Sequence, residues 1–156
     1  DLSFNQLFGT IPPQISQLSK LTYLDLSLNQ ISGNIPPEIG HLENLEVLHI
    51  FSSQLNGSIP QQIGELRSLN DLSLSGNTLE GSIPASLGNL SNLTLLYLFD
   101  NQLSGPLPPE MGNLSSSVEI NMSNNSLTGP IPSTFGNLKN LTVLSLFSNQ
   151  LSGPIP

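Results

Sequence analysis

A period of 24 residues runs through the whole chain. Leucine occupies six positions spaced by this interval, which are Leu18, Leu42, Leu66, Leu90, Leu114 and Leu138. Each of them opens a segment of the form LxxLxxLxLxxNxLxGxIPxxIGx. A unit this short cannot bury its own apolar face, so the units must stack into an elongated solenoid. The period predicts one uncapped array over 1–156, with five full units over 18–137 between partial units at 1–17 and 138–156.

The apolar positions of the unit predict the core. Side chains alternate between two faces along a strand, so leucines two residues apart face the same way. Three columns of the stacked units are therefore expected to point inward: Leu21, Leu45, Leu69, Leu93 and Leu141; Leu24, Leu48, Leu72, Leu96, Ile120 and Leu144; and Leu26, Ile50, Leu74, Leu98, Met122 and Leu146.

A column of asparagines follows the predicted strands, at Asn5, Asn29, Asn77, Asn101, Asn125 and Asn149. Stacked amides can satisfy the backbone groups that a turn leaves unpaired. Ser53 interrupts this column, and we expect a water or a local shift there because a hydroxyl reaches less far. Ser117 replaces a core leucine, which removes about 2 kcal/mol of burial. We expect the array to be weakest at Ser117 unless Val118 turns inward.

The unit resembles the leucine-rich repeat, and its LxGxIP portion resembles the repeat class of plants. The resemblance covers essentially the whole chain in phrases such as NQLSGPIP, IPPEIGHLENLEVLHI, LEGSIPASLGNLSNLTLLYL and IPSTFGNLKNLTVLSL. It implies an α/β solenoid, a right-handed superhelix with a parallel β-sheet on its concave face and short 3-10 or loop segments on its convex face. More narrowly, these phrases resemble the extracellular domains of plant receptor-like kinases of the MDIS1-interacting receptor-like kinase 2 type.

The resemblance also implies a location and partners. In that family the array lies on the extracellular face of the plasma membrane, its concave face binds a secreted peptide or protein ligand, and a co-receptor with a short leucine-rich repeat ectodomain completes the complex. The chain is interpreted as a soluble fragment without the family's kinase, membrane span and cysteine-paired caps. We expect no enzyme activity and no cofactor, and uncapped ends favour end-to-end self-association.

Charge is distributed unevenly over the predicted surface. The chain has 11 acidic residues against 3 basic ones, a formal net charge of −8. Six acids fall between the inward leucines, on the expected concave face: Asp1, Asp25, Glu46, Asp71, Asp100 and Glu119. The three basic residues, Lys20, Arg67 and Lys139, fall outside it. An acidic face excludes nucleic acid and favours a basic or hydroxyl-rich extended peptide of about nine residues.

Aromatic residues are interleaved with these acids, and exposed aromatic side chains often anchor ligands. His49 adds a ligand contact or a pH-sensitive group. Matched by column, the ligand-binding candidates are Asp25, Glu46, His49, Phe51, Asp71, Ser73, Tyr97, Phe99, Glu119 and Asn121. The alternative is that the aromatic side chains only cover neighbouring strands and that the acids keep the surface soluble.

Nothing in the sequence indicates catalysis or a metal site. Cysteine is absent, and the two histidines, His41 and His49, occupy different columns of the repeat. The chain therefore lacks thiol nucleophiles and the soft ligands typical of zinc sites.

Seven Asn-x-Ser/Thr triplets are candidate glycosylation sites: Asn56, Asn89, Asn92, Asn113, Asn121, Asn124 and Asn140. Such triplets favour a secreted protein. A glycan at Asn121 or Asn124 would obstruct part of the concave face, whereas the other five would decorate turns and flanks.

Two further functions stay open. One is a secreted inhibitor of wall-degrading enzymes, because polygalacturonase inhibitors resemble the same repeat class. The other is an ice-binding protein, which is less favoured because ice binding requires a regular lattice of small groups and the expected concave columns mix acids, aromatics, serine and valine.

Overall fold

The computed structural model describes residues 1–156, in which short β-strands and 3-10 helices recur in a fixed order. Every full unit contributes one strand to a first sheet, a second strand to another sheet, and one 3-10 helix. The predicted leucine-rich repeat solenoid is confirmed.

Six parallel strands form the first sheet, which we call the front sheet and which corresponds to the predicted concave face. The strands follow one another in sequence order: β2 (Tyr23–Asp25), β4 (Val47–His49), β6 (Asp71–Ser73), β8 (Leu95–Tyr97), β10 (Glu119–Asn121) and β12 (Val143–Ser145). Leu24 pairs with Leu48 and Leu48 with Leu72, so each residue stands opposite its equivalent in the next unit. Equivalent residues therefore form straight rows across the front sheet.

Seven more parallel strands form a second sheet, the back sheet, which the sequence analysis did not anticipate. They are β1 (Phe8–Thr10), β3 (Gln30–Gly33), β5 (Gln54–Gly57), β7 (Thr78–Ser82), β9 (Gln102–Pro106), β11 (Ser126–Gly129) and β13 (Gln150–Leu151). Gly9 pairs with Ile31, 22 positions later in the chain. Because the repeat has 24 residues, equivalent residues step sideways by two positions from one back strand to the next.

Six 3-10 helices complete the units: η1 (Pro13–Gln17), η2 (Pro37–His41), η3 (Gln61–Glu65), η4 (Ala85–Asn89), η5 (Pro109–Asn113) and η6 (Ser133–Asn137). A proline with extended backbone precedes each helix. Neighbouring helices stack so closely that a Cβ added at Gly40 would lie 2.6 Å from the carbonyl oxygen of Gln62. None of the helices is long and apolar enough to cross a membrane.

A single apolar core lies between the sheets and the helices. It contains 33 buried side chains, which include the central members of all three predicted columns. At about 1.5 to 3 kcal/mol for each fully buried aliphatic side chain, this burial is the main term holding the units together. Leu55, Leu79 and Leu103 of the back sheet are also fully buried, so this sheet has an inner face of its own.

The asparagine ladder forms as predicted. Asn77 Nδ2 donates to the carbonyl oxygens of Ile50 at 2.7 Å, Leu74 at 3.1 Å and Ser75 at 3.2 Å, and Asn77 Oδ1 accepts from the N–H of Leu55 at 3.0 Å. The equivalent bonds recur at Asn29, Asn101, Asn125 and Asn149. One amide thus joins two units and both sheets.

Ser53 breaks this ladder. Its Oγ is buried and has no hydrogen-bond partner. The Ser53 hydroxyl is too short to reach the backbone carbonyl groups that accept hydrogen bonds from the asparagine amides in the other units. This unit therefore lacks the side-chain hydrogen bonds that join neighbouring units elsewhere.

Ser117 stands at a core position of the repeat and is fully buried, and its Oγ donates to the carbonyl oxygen of Leu93 at 2.8 Å. A hydrogen bond to the preceding unit therefore satisfies the hydroxyl that replaces the leucine. The side chain of Val118 is exposed, so it does not turn inward to replace the missing leucine.

Candidate functional site

The outward side chains of the front sheet form two straight rows that contain most of the predicted ligand-binding residues. One row is Tyr23, Val47, Asp71, Leu95, Glu119 and Val143, and the other is Asp25, His49, Ser73, Tyr97, Asn121 and Ser145. Glu46 precedes β4, whereas Phe51 and Phe99 follow β4 and β8. Seven of the ten candidates therefore lie in these rows, and ring contacts place Phe51 beside His49 and Phe99 beside Tyr97.

His49 links three strands of this face. Its Nδ1 lies 3.6 Å from Asp25 Oδ2 and its Nε2 lies 3.1 Å from Asp71 Oδ2. The second oxygen of Asp71, Oδ1, is buried without a hydrogen-bond partner.

Asp25 is held as a carboxylate by its neighbours. Burial alone would raise the pKa of Asp25, but hydrogen bonds from the Ser27 hydroxyl and the Ser27 N–H, together with His49 and Tyr23, lower it below its ordinary value. Tyr23 donates its hydroxyl to Asp25 Oδ2 at 3.3 Å. Burial, and then the Asp25 charge, raises the pKa of Tyr23, so the phenol keeps its proton.

Tyr97 and Glu119 lie on the adjacent strands β8 and β10. Burial raises the pKa of Tyr97, and the neighbouring carboxylates of Glu119 and then Asp71 add to the shift. The Tyr97 ring meets the edge of Phe99 with centroids 6.3 Å apart. His49 and Phe51 make the same type of contact at 6.0 Å on β4. Edge contacts of this kind contribute about 0.5 to 1.5 kcal/mol beyond the area that they bury.

Two of the ten candidates are less accessible than predicted. Asp25 is only 7% exposed and Ser73 only 5%. Both are short side chains beside the longer His49, and Ser73 also stands opposite Tyr97, so larger neighbours cover them. Glu46 is exposed, and the other seven, His49, Phe51, Asp71, Tyr97, Phe99, Glu119 and Asn121, are half-buried.

Three serines that follow the front strands, Ser27, Ser75 and Ser123, are also buried. Their hydroxyls are in hydrogen-bond contact with Asp25, Ser73 and Asn121 respectively, each two residues earlier in the chain.

The seven glycosylation candidates lie in different environments. Asn56, Asn89, Asn92, Asn113 and Asn140 are exposed and lie off the front sheet, and Asn124 is exposed at its edge. Asn124 Nδ2 donates to Asp100 Oδ1 at 2.6 Å. Asn121 is half-buried, and its Oδ1 accepts from the hydroxyl and the N–H of Ser123.

The acidic and aromatic face carries no catalytic arrangement. No three His, Cys, Asp or Glu side chains come together in a group that could hold a metal ion. The neighbours of His49 are carboxylates and aromatic rings, and no serine hydroxyl is bonded to it.

Family comparison agrees with this architecture. The chain matches the leucine-rich repeat region over residues 11–102, and it matches individual leucine-rich repeats over residues 92–114, 118–138 and 140–156. No curated protein sequence matches the chain.

Solved structures include close relatives of this fold. The ectodomain of the Arabidopsis thaliana membrane receptor kinase GASSHO1/SCHENGEN3, in complex with CASPARIAN STRIP INTEGRITY FACTOR 2, is 43% identical with a TM-score of 0.96 over 97% of this chain and 18% of its own length. The Arabidopsis receptor kinase HAESA, in complex with the peptide hormone IDA and the co-receptor SERK1, is 34% identical with a TM-score of 0.69 over 99% of this chain and 30% of its own.

A plant ice-binding protein is also similar, at 39% identity and a TM-score of 0.87 over 99% of this chain and 50% of its own length. The chain therefore spans between about a fifth and a half of the length of these structures.

Proposed function

The chain belongs to the leucine-rich repeat family, and on that premise we propose that it is part of the extracellular domain of a plant receptor-like kinase. In this role the front sheet binds a secreted peptide, and a co-receptor with its own short ectodomain joins the complex. The motif resemblance to the MDIS1-interacting receptor-like kinase 2 type supports that type as the narrower assignment. The full-length protein then lies on the extracellular face of the plasma membrane.

The observation that supports this function best is the chemistry of the front sheet. Acids and aromatic rings from successive strands share one surface, and every basic residue of the chain lies away from it. Such a surface attracts a cationic ligand electrostatically and buries ring surface against it. Complexes of similar ectodomains with a peptide hormone and a co-receptor support the same conclusion.

The test is binding of the 156-residue chain to a panel of short basic and neutral plant signalling peptides, followed by fluorescence anisotropy at low and moderate salt. The double variant Asp71→Asn, Tyr97→Ala removes one carboxylate and one ring from the front sheet. The matched control, Gln54→Ala, Gln102→Ala, changes two exposed residues of the back sheet.

We expect saturable binding by the chain and by the control, with at least tenfold weaker binding by the front-sheet variant. Binding should also weaken with salt, because part of it is electrostatic. If no peptide binds, or if the two double variants bind equally well, the front sheet is not the ligand surface.

Similarity to a plant ice-binding protein supports a second candidate, recognition of ice. An ice recrystallisation assay on the same protein separates the two functions. The receptor function predicts no inhibition, and inhibition that persists in the front-sheet double variant would favour the ice-binding function.

A further inference from the structure

A polar cleft lies beside the 3-10 helices, off the front sheet. The last residues of η2, η3 and η4 line it, and these are His41, Glu65 and Asn89. Glu43 and Arg67, two residues after η2 and η3, line it as well. We call this space the helix-side cleft. It encloses about 480 Å³, which is in the range of sites that hold small molecules, and no hydrophobic side chain lines it.

Two glycines leave room for this cleft. Gly40 and Gly64 are buried members of η2 and η3 and also line the cleft. A Cβ added at Gly40 would lie 3.0 Å from Glu65 Oε2. The carboxylate of Glu65 therefore packs over the glycine of the preceding unit, and a larger residue at position 40 would displace it.

The charged side chains of the helix-side cleft are not paired with one another. The ion-pair contacts of the chain both involve His49, which lies on the front sheet. Arg67 therefore has no carboxylate partner, although Glu43 and Glu65 line the same cleft. A guanidinium group offers only hydrogen-bond donors and a carboxylate offers only acceptors. Both kinds of group remain available to a ligand.

This combination favours an uncharged ligand with many polar groups. An anion would meet the carboxylates of Glu43 and Glu65, and a cation would meet Arg67. A sugar fits, because its hydroxyl groups can donate to the carboxylates and an acetamido carbonyl can accept from the guanidinium group. N-acetylglucosamine, the first sugar of an N-linked glycan, has both kinds of group.

Asn89 provides an attachment point for this sugar in the cleft itself. It is exposed, it begins the triplet Asn89-Leu90-Ser91, and it is the one candidate glycosylation residue that lines this cleft. The side-chain amide of Asn92 donates to the carbonyl oxygen of Arg67 at 2.9 Å, whereas no such bond holds the Asn89 amide. A sugar on Asn89 therefore replaces no hydrogen bond of the fold.

We propose that Asn89 carries an N-linked glycan whose first N-acetylglucosamine occupies the helix-side cleft and joins the three units around it. Sugar hydroxyls that exchange water for protein partners gain little net free energy, so the free sugar binds weakly. Attachment at Asn89 makes the contact intramolecular and raises the effective concentration of the sugar. The inference uses the extracellular location in the proposed function and does not depend on the ligand.

The sugar strengthens a junction at which the asparagine ladder is interrupted. Asn77 joins its unit to the preceding one through Ile50, and the equivalent link is missing at Ser53. Ser53 lies between η2 and η3, the helices that end at His41 and Glu65. A sugar that contacts both helices therefore joins the two units that lack the amide link. The front sheet stays uncovered, because none of the cleft residues belongs to it.

Site occupancy is tested first. The chain is secreted behind a signal peptide from cultured mammalian cells that make only high-mannose glycans, and endoglycosidase H then leaves one N-acetylglucosamine on each modified asparagine. Mass spectrometry of proteolytic peptides identifies the modified asparagines. We expect Asn89 to carry a sugar. An unmodified Asn89 in the secreted and folded chain overturns the inference.

Thermal unfolding of the trimmed protein measures what the sugar does. Asn89→Gln should lower the Tm by about 3 °C, because the hydrogen bonds of the sugar are lost. Asn113→Gln is the matched control, since the unit before Asn113 has Asn89 and Ser91 in place of Glu65 and Arg67, and it should change the Tm by less than about 1 °C. Both variants made in bacteria, without sugar, should unfold within about 1 °C of the unaltered chain.

A change in the cleft tests whether the sugar acts through it. In the double variant Glu65→Ala, Arg67→Ala, adding Asn89→Gln should lower the Tm by less than about 1 °C, because the sugar has already lost its partners. Equal losses for Asn89→Gln and Asn113→Gln in the glycosylated chain, or an undiminished loss in the cleft variant, would overturn the inference. No peptide takes part in these measurements, so their failure leaves peptide recognition by the front sheet in place, and failure of the peptide panel leaves the glycan in place.

Discussion

The front and back sheets arise from the same repeat, yet their outward side chains differ in variety and in alignment. One exposed back-sheet position reads Gln30, Gln54, Thr78, Gln102, Ser126 and Gln150, whereas one front-sheet row reads Tyr23, Val47, Asp71, Leu95, Glu119 and Val143. Equivalent residues step sideways by two positions in the back sheet and stand opposite each other in the front sheet.

Folding requires only the features that the two sheets share. Both sheets pack against one core that consists mainly of leucine side chains. Stacking of the units therefore does not require a varied outer surface. Straight rows allow a ligand that crosses the strands to meet one residue from each unit. We infer that variation on the front sheet serves recognition and that uniformity on the back sheet reflects its structural role.

The largest expected effect concerns the ladder that joins the sheets. Asn77→Ala leaves the carbonyl oxygen of Ile50 and the N–H of Leu55 without their amide partner. Unpaired buried groups of this kind cost about 1 to 3 kcal/mol each, so we expect a loss of about 3 kcal/mol in the free energy of unfolding, measured in urea. Gln102→Ala, on the exposed back sheet, should change it by less than about 0.5 kcal/mol. Equal losses would show that the ladder is not what couples the two sheets.

Removing an aromatic ring from the front sheet should weaken peptide binding more than it weakens the fold. Tyr97→Ala is expected to reduce peptide affinity by about 2 kcal/mol, as interface aromatics commonly do. Its effect on the free energy of unfolding should be smaller than that of Asn77→Ala, because the ring is half-buried and lies outside the core. Parallel titrations and urea unfolding measure both quantities. Destabilisation without a loss of affinity would reverse the roles assigned to the two surfaces.

Restoring the missing asparagine at position 53 should raise the stability of the fold without changing peptide binding. Ser53→Asn gives this unit the amide that its neighbours have, which can reach the N–H of Ile31 and the carbonyl oxygen of Leu26. We expect a gain of about 1 kcal/mol in the free energy of unfolding and no change in peptide affinity. Ser58→Asn, at an exposed position, is the control. A Ser53→Asn protein no more stable than this control would contradict the interpretation of Ser53 as an unfilled link.

The smallest expected effect is a pH dependence at the front sheet. The pKa of Asp25 is lower in the folded chain than its ordinary value, so its carboxylate stabilises the fold at pH values above about 4. That contribution is lost as the pH falls from about 4 through the lowered pKa. Urea unfolding at pH 6 and at pH 2 should show a larger decrease for the unaltered chain than for Asp25→Asn. Equal decreases would mean that the contacts with Ser27, His49 and Tyr23 do not favour the carboxylate.

Much of this fold could be read from the sequence. The period set the stacking direction, the three apolar columns formed the core, and the asparagines formed the ladder, because each depends on chemistry repeated at fixed spacing. The back sheet was missed because its strands are short and polar outside, with single buried residues such as Leu55 and Leu79 between turn residues.

The site was harder to predict because side-chain exposure depends on neighbours in other units. Column position placed Asp25 and Ser73 on the correct face, but their burial follows from the size of His49 and Tyr97 beside them. Ser117 shows the same limit: its hydroxyl is satisfied by the carbonyl oxygen of Leu93, a backbone group of the neighbouring unit that the apolar pattern of its own unit does not reveal.

The most direct test of the front sheet as the recognition surface is an NMR titration of the isotope-labelled chain with the peptide that binds most tightly in the panel. We expect amide shifts to change for Ser75, Tyr97, Phe99 and Ser123 on the front sheet, while those of Gln54, Gln102 and their back-sheet neighbours stay unchanged. Shifts concentrated on the back sheet, with the front-sheet rows unaffected, would contradict it.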